Sequence, residues 1–553
     1  MAEAMAASRR PQLPRGLGAL RVAVPVLLLA TEVAWLQSWI LRVVPLQFSF
    51  WPHPVNKPDR DLSRWTSGRH IAGTGTSDSF GPGPSQGRVR IGCCPCVGRP
   101  PWARLKRPFH RHVLVQASNE EDVTTLSSGT SPSEEAVPMT SLPAMVVNLV
   151  KNIMGASVLT LAAGTAAFSD LPGAVLPASA LTIVMAVVCA YTFCLIVRSC
   201  ELANTTSFSE AWSRLMGERS AWLVSAANMM MAGAGCLQYT VVLADSGSSL
   251  AAAAGLPLPL ASRSSALLAI AGGLLVPLSF LESCSQLKFT SVLGVCGVMY
   301  YIVAIAIRYF QGAYMPGGTF HSLISPHLQP SFGATGGSVW SPKTLVLMSI
   351  LTAAYVCHYN APKFYRELEN RTLPRFYLLS AIGFGFSGLV CAIGLCCSFL
   401  TFGGASSGLI FNNYADTDGL FVVARAIASA VLLCTFPLLF VAFRGGALEL
   451  LPRRVKASPL LRRLLTLSLV AALTCLGLAI DDVGLVVSVP AAIFGSAVTY
   501  TFPALLFLRA TRPRPGTPAP SAACRLERCV GRGIALLGAI FATLGTGSAL
   551  NLI

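Results

Sequence analysis

From Pro143 to the end of the chain, long apolar blocks alternate with short polar connectors. At about 1.5 Å per helical residue, each block is long enough to cross roughly 30 Å of hydrocarbon. Eleven are expected, at 143–167, 173–198, 219–245, 264–283, 287–310, 343–365, 376–402, 419–443, 461–480, 483–508 and 532–552. In lipid a backbone must satisfy its own hydrogen bonds, which leaves helices or a closed barrel, and apolar runs of about 20 residues select helices. The pattern predicts an all-α polytopic membrane protein, with its eleven helices in a domain at 141–553.

Residues 1–140 read as an N-terminal extension of another kind. They hold one apolar stretch, 22–46, and then a polar run rich in Pro, Gly, Ser and Arg, which cannot bury enough surface to offset its ordering entropy and is expected to be disordered. Arg9, Arg10, Arg15 and Arg21 precede the stretch as they would a signal or anchor, yet Glu32, Gln37 and Arg42 interrupt it and no clear cleavage site follows. A targeting segment, an anchor and an extra span all stay open. Cys93, Cys94 and Cys96 have no second Cys or His pair at zinc spacing, so an inert tail is expected there.

Composition narrows the class. Of 553 residues 53% are hydrophobic and 12% charged, against roughly a quarter charged in soluble proteins, which excludes an ordinary soluble fold. The net charge of +17 does not imply nucleic acid, because the basic residues sit in connectors rather than on one aromatic-studded face. With the first block starting in the cytoplasm, connectors 199–218, 284–287, 366–375, 444–460 and 509–531 are cytoplasmic. These and their flanks hold nearly all the Arg and Lys, whereas 403–418 and 481–482 hold none. The sequons at Asn204 and Asn370 then face the cytoplasm and read as chance matches. The 17 Cys are scattered, many inside apolar blocks, and imply no disulfide framework.

Two blocks are interrupted at matching places. The first reads PAMVVNLVKNIMGASVLTLAAGTAAF, with Gly155-Ala156-Ser157 near its middle and Asn148, Lys151 and Asn152 just before. The sixth is broken between Thr352 and Asn360, a stretch holding His358, the one His inside any block, with Pro362 soon after. Small residues in membrane helices usually serve close packing. Their joint occurrence in the first block of each of two five-span halves points instead to an inverted repeat with paired discontinuous helices. An odd number of spans per half gives the halves opposite orientations.

These residues are similar to a known family. NLVKNIMGASVLTLAAGTAAF resembles the first helix of the amino acid/auxin permeases, which include vacuolar, vesicular and sodium-coupled neutral amino acid transporters. LKFTSVLGVCGVMYYIVAIAIRYF resembles that family's fifth helix, AYVCHYNAPKFYREL its sixth, the region from Asn412 to Arg444 its eighth and the region from Asp481 to Arg509 its tenth. The resemblance covers about 143–552. It implies a five-plus-five inverted-repeat transporter fold, leucine-transporter-like, with an eleventh helix.

The expected function is secondary active transport of small, neutral amino acids by alternating access, coupled to H+ or Na+, with no other cofactor and no nucleic acid partner. The alternative is a membrane amino acid sensor that does not transport. An enzyme is not expected, since the blocks hold one His and neither HExxH nor GxGD. Backbone N–H groups near Gly155, Ala156 and Ser157 are expected to hold the substrate carboxylate, and carbonyls around Tyr355, Val356 and Cys357 its ammonium. For ion coupling the candidates are Lys151, Asn152, His358 and Thr435. The family's sodium-coupled members carry Asn-Leu-Ser-Asn where this chain has Asn148-Leu149-Val150-Lys151. The resemblance therefore places an ammonium where an amide supports sodium binding, which favours proton coupling. Plasma membrane and vacuolar or vesicular membranes are both compatible with the sequence, and protein partners are not legible in it.

Overall fold

The computed structural model describes residues 139–552 apart from 258, 282–289, 335, 339, 452–457, 514–520 and 551. The expectations for the extension up to residue 138, including 22–46 and the Cys93 cluster, lie outside the described residues, as does the 284–287 connector. Within them the chain is helical, and its only β pairing is three isolated bridges.

Among the described residues nine helices are long and apolar enough to cross a membrane, and a tenth crossing is the pair Leu142–Ile153 and Ala156–Phe168, bent by 45°. The remaining expected block is the shorter helix Arg263–Ser279, which contains a π turn at Ala271–Leu275. Spans 1 to 5 are thus the bent pair, Pro172–Ala203, Glu218–Ala253, Arg263–Ser279 and Val292–Phe310. Spans 6 to 10 are Thr344–Glu367, Leu373–Phe402, Gly419–Leu450, Pro459–Ala479 and Val483–Ala510, and span 11 is Ala522–Ala549. The protein is a multi-pass integral membrane protein.

Lipid offers helices little hydrophobic reason to associate, so close backbone approach through small residues does that work. Spans 3 and 8 show it most fully. A Cβ on Gly233 would stand 2.7 Å from Phe443 Cε2, one on Gly235 2.6 Å from Leu439 Cδ2, and one on Gly446 2.6 Å from Met229 Cβ. The two helices interlock with no room for a methyl group.

The connectors sort into two sets, as the charge pattern predicts. In one set Arg198 forms a bidentate pair with Glu527 at 2.9 and 3.0 Å, Arg509 Nε donates to Leu215 O at 3.0 Å, and Tyr365 donates to Glu201. In the other, Arg263 pairs with Asp245 at 2.6 Å and Asp481 at 3.0 Å, and Asn412 Nδ2 donates to Asp245 at 2.9 Å. Two buried charges order the 403–418 connector. Asp418 caps span 8 by accepting from Leu420 N at 3.1 Å, and it also holds Arg308 at 2.6 and 2.8 Å. The Arg425 guanidinium, 1% exposed, gathers the carbonyls of Phe411 and Tyr414 at 2.7 Å each. Together with an ion pair to Asp416 at 3.5 Å, these charge-assisted bonds to carbonyls let the cation stay inside the protein.

Candidate binding site at two interrupted helices

Span 1 winds regularly to Ile153 and then loses its helical path. Met154 adopts φ −81°, ψ 83°, and Gly155 is extended at φ −101°, ψ −163°. The chain restarts as a 3-10 turn over Ala156–Thr160 and continues as α-helix from Leu161. The first N–H groups of a helical run have no partner inside it, and the run's positive dipole end lies with them. Span 6 is α-helical to Tyr355, passes through Val356 and Cys357 in non-helical conformations, and resumes over His358–Asn360 and Ala361–Glu367. The last carbonyls before Val356 are likewise unused by their own helix. The interruption leaves no bend like that of span 1.

Both breaks border one cavity of about 90 Å³. Since a site for one water needs at least about 10–15 Å³ on this measure, there is room for several waters or one small solute. Span 1 contributes Asn152, Gly155, Ala156 and Ser157, and span 6 contributes Ala353, Val356 and Tyr359. Span 3 adds Met231, Ala234, Gly235, Gln238 and Tyr239, while Leu439 of span 8 and Val486, Val487 and Pro490 of span 10 form an apolar wall. Among the described residues, no Lys, Arg, His, Asp or Glu lines it. A larger groove, about 340 Å³, runs along Cys296, Met299, Tyr300 and Leu420, but it is apolar and shallow and lies apart from both breaks.

The candidate residues divide by position. Gly155, Ala156, Ser157, Asn152 and Val356 line the cavity. Tyr355, Cys357 and His358 do not. Their side chains are fully buried on the other side of the break, where the Tyr355 hydroxyl donates to Thr182 O of span 2 at 3.1 Å. His358 Nε2 lies 2.9 Å from Thr192 Oγ1 and 3.2 Å from Cys189 O. A carbonyl only accepts, so Nε2 carries the proton in this arrangement. Phe193 and Phe384 pack edge-on to the ring.

Lys151 does not line the cavity. Its stem lies along span 5, with Cγ 3.2 Å from where a Cβ on Gly294 would be, and its ammonium is within electrostatic reach of Cys434 on span 8. Thr435 turns its hydroxyl back to Val431 O at 2.7 Å, the common i−4 bond of a helical Thr. Asn152 instead joins the two breaks, its Oδ1 accepting from Asn360 Nδ2 at 3.4 Å.

Sequence reasoning missed Gln238, whose Oε1 accepts from Ser157 Oγ at 3.3 Å, and the aromatic pair Tyr239 and Tyr359. A Gln inside the apolar run CLQYTVVL was the available signal, because a polar residue within a membrane span asks for a partner or a ligand.

A family profile described as "Transmembrane amino acid transporter protein" matches residues 139–522. A Danio rerio protein provisionally named sodium-coupled neutral amino acid transporter 11 is 23% identical over 410 residues, covering 72% of this chain and 84% of that one. A Rattus norvegicus protein of the same name is 25% identical over 176 residues, 30% of this chain and 37% of that one. Vacuolar amino acid transporter 2 of Saccharomyces cerevisiae is 22% identical over 297 residues, 53% of this chain and 58% of that one. Against the latter two, the chain spans less than two thirds of the relative's length. Among solved structures, MhsT in complex with L-phenylalanine aligns with a TM-score of 0.46 and 11% identity, covering 74% of this chain and 100% of that one. Inward-facing Mhp1 aligns at 0.44 and 13%, covering 77% and 93%. The profile spans well over half of the sequence, and this chain belongs to the transmembrane amino acid transporter family.

Proposed function

We propose that the chain carries small neutral amino acids across its membrane by alternating access, with a proton as the coupling ion. The observation behind the substrate class is the cavity between the two breaks. One break presents helix-start N–H groups and the other helix-end carbonyls, a pairing that suits a carboxylate and an ammonium on one small molecule. With no Lys, Arg, His, Asp or Glu in the lining among the described residues, a charged substrate side chain would lie unpaired. The apolar wall of Leu439, Val486 and Val487 suits a short aliphatic one.

The coupling assignment rests on Lys151. Sodium would need a cage of hard oxygen ligands, whereas this position between spans 1, 5 and 8 holds an ammonium on a stem packed against Gly294. Two relatives carry a sodium-coupled name and a third a vacuolar one, so sodium is the rival to be tested. His358, set against span 2 away from the cavity, serves on this reading as an anchor of the break rather than as the proton carrier.

Purified protein in sealed vesicles decides both points. Labelled alanine or glycine accumulates under a pH gradient in sodium-free buffer, and Lys151→Met abolishes the gradient's effect while leaving binding in place. Uptake that needs sodium and ignores the pH gradient would overturn the coupling. Binding without accumulation would replace the transporter by a sensor.

A further inference from the structure

Gln238 stands on span 3 beside the helical restart of span 1, and only 6% of its surface is exposed. Ser157 Oγ donates to its Oε1, which orients the amide and leaves Nε2 on the other side. Nε2 meets no hydrogen-bond partner among the described residues, and neither does Asn152 Nδ2 on the opposite flank of the same break. Buried amide donors are almost always satisfied. These two instead border a cavity whose nearby helix restart also offers N–H groups. Donors therefore converge there from three places, and a ligand group with several lone pairs and no proton to donate fits them: a carboxylate, with about four acceptor sites.

We propose that Gln238 is a specificity-determining residue whose Nε2 donates to the carboxylate of the bound amino acid, with Ser157 holding the amide in that orientation. This rests on the cavity being an amino acid site and adds a side-chain reader to the backbone cradle. The substrate is recognised by a neutral donor set without an arginine, so an uncharged carbonyl can compete for the seat but binds it less strongly.

Calorimetry on the full-length protein in lipid nanodiscs tests this with alanine and alaninamide as probes. The wild type prefers alanine. Gln238→Met, which keeps the length and shape of the side chain, lowers alanine affinity by about 10- to 100-fold, the size of one lost bond to a charged group, and alaninamide affinity by less. Gln238→Glu places one carboxylate against another and reverses the preference. A merely structural role would weaken both probes equally. An alanine-to-alaninamide ratio unchanged in both variants overturns the role of Gln238 while leaving the amino acid site intact. Failure of the wild type to bind any of glycine, alanine or serine is a different result, and it overturns the site and this proposal together.

Discussion

The two helix interruptions sit at matching places in the sequence and are built in opposite ways. At the first, the residue at the turning point is Gly155, which has no side chain, and the chain bends by 45° around open space. At the sixth, Tyr355, Cys357 and His358 are wholly buried, and Tyr355 and His358 are stitched to span 2 through Thr182, Thr192 and Cys189. The first break gives Asn152, Gly155, Ala156 and Ser157 to the cavity that both border. The other is fastened from behind, and only Val356 and its neighbours Ala353 and Tyr359 reach the cavity. Unwinding a helix frees backbone groups at both places, but what the side chains then do decides whether the site is left open or held.

The strongest test of this contrast is Gly155→Leu. The nearest neighbour of a Cβ at 155 is Tyr239 Oη at 3.8 Å, an ordinary contact, so the backbone accepts a side chain while the cavity does not. Uptake is expected to fall to background with the protein still monodisperse in detergent, and Gly155→Ala to keep part of it. Normal uptake by the Leu variant would show that the cavity is not the site.

At the other break, His358→Ala should act on stability. Removing a buried ring from between Phe193 and Phe384 costs about 2–5 kcal/mol, read as a lowered thermal midpoint, while the fraction that stays folded binds substrate within about threefold of wild type. A large loss of affinity at unchanged stability would erase the contrast.

Much of this arrangement was legible in the chain, and the part that was not has a definite cause. Among the described residues apolar block length located the ten long crossings and the shorter helix Arg263–Ser279, and Gly155-Ala156-Ser157 marked the first break, because both signals are local. Side-chain direction inside a break is not local. A regular helix turns about 100° per residue, so Lys151 and Asn152 could be placed on different faces, and they are: one lies along Gly294, the other borders the cavity. From Val356 to Asn360 that rule lapses, and the turn of His358 toward span 2 depends on Thr192 and Cys189, over 160 residues away. Thr435 was picked by resemblance, and its hydroxyl is bonded within its own helix.

Gly294→Ala gives a finer probe. The new methyl would stand 3.2 Å from Lys151 Cγ, so the lysine must shift, and proton-driven uptake is expected to drop severalfold while alanine affinity stays within twofold. Equal loss of both would tie Lys151 to substrate binding instead. The smallest effect is expected from Ser157→Ala, which removes one neutral hydrogen bond worth about 1 kcal/mol and so raises the Kd for alanine about fivefold. No change would mean that the 3.3 Å contact with Gln238 does not orient the amide.

The absence of Lys, Arg, His, Asp and Glu from the cavity lining among the described residues has an electrical consequence. On the proposed substrate class, a neutral amino acid would enter as a zwitterion, a large dipole with no net charge, and its passage would move no current of its own. On that proposal, whatever current accompanies uptake would belong to the coupling ions, and the ratio of charge to substrate would count them directly. Each such ion adds about 2.3 kcal/mol of driving force per 100 mV. A membrane voltage would then set how far the amino acid is concentrated through the ion alone, and clamping that voltage to zero would leave only the ion's own concentration gradient.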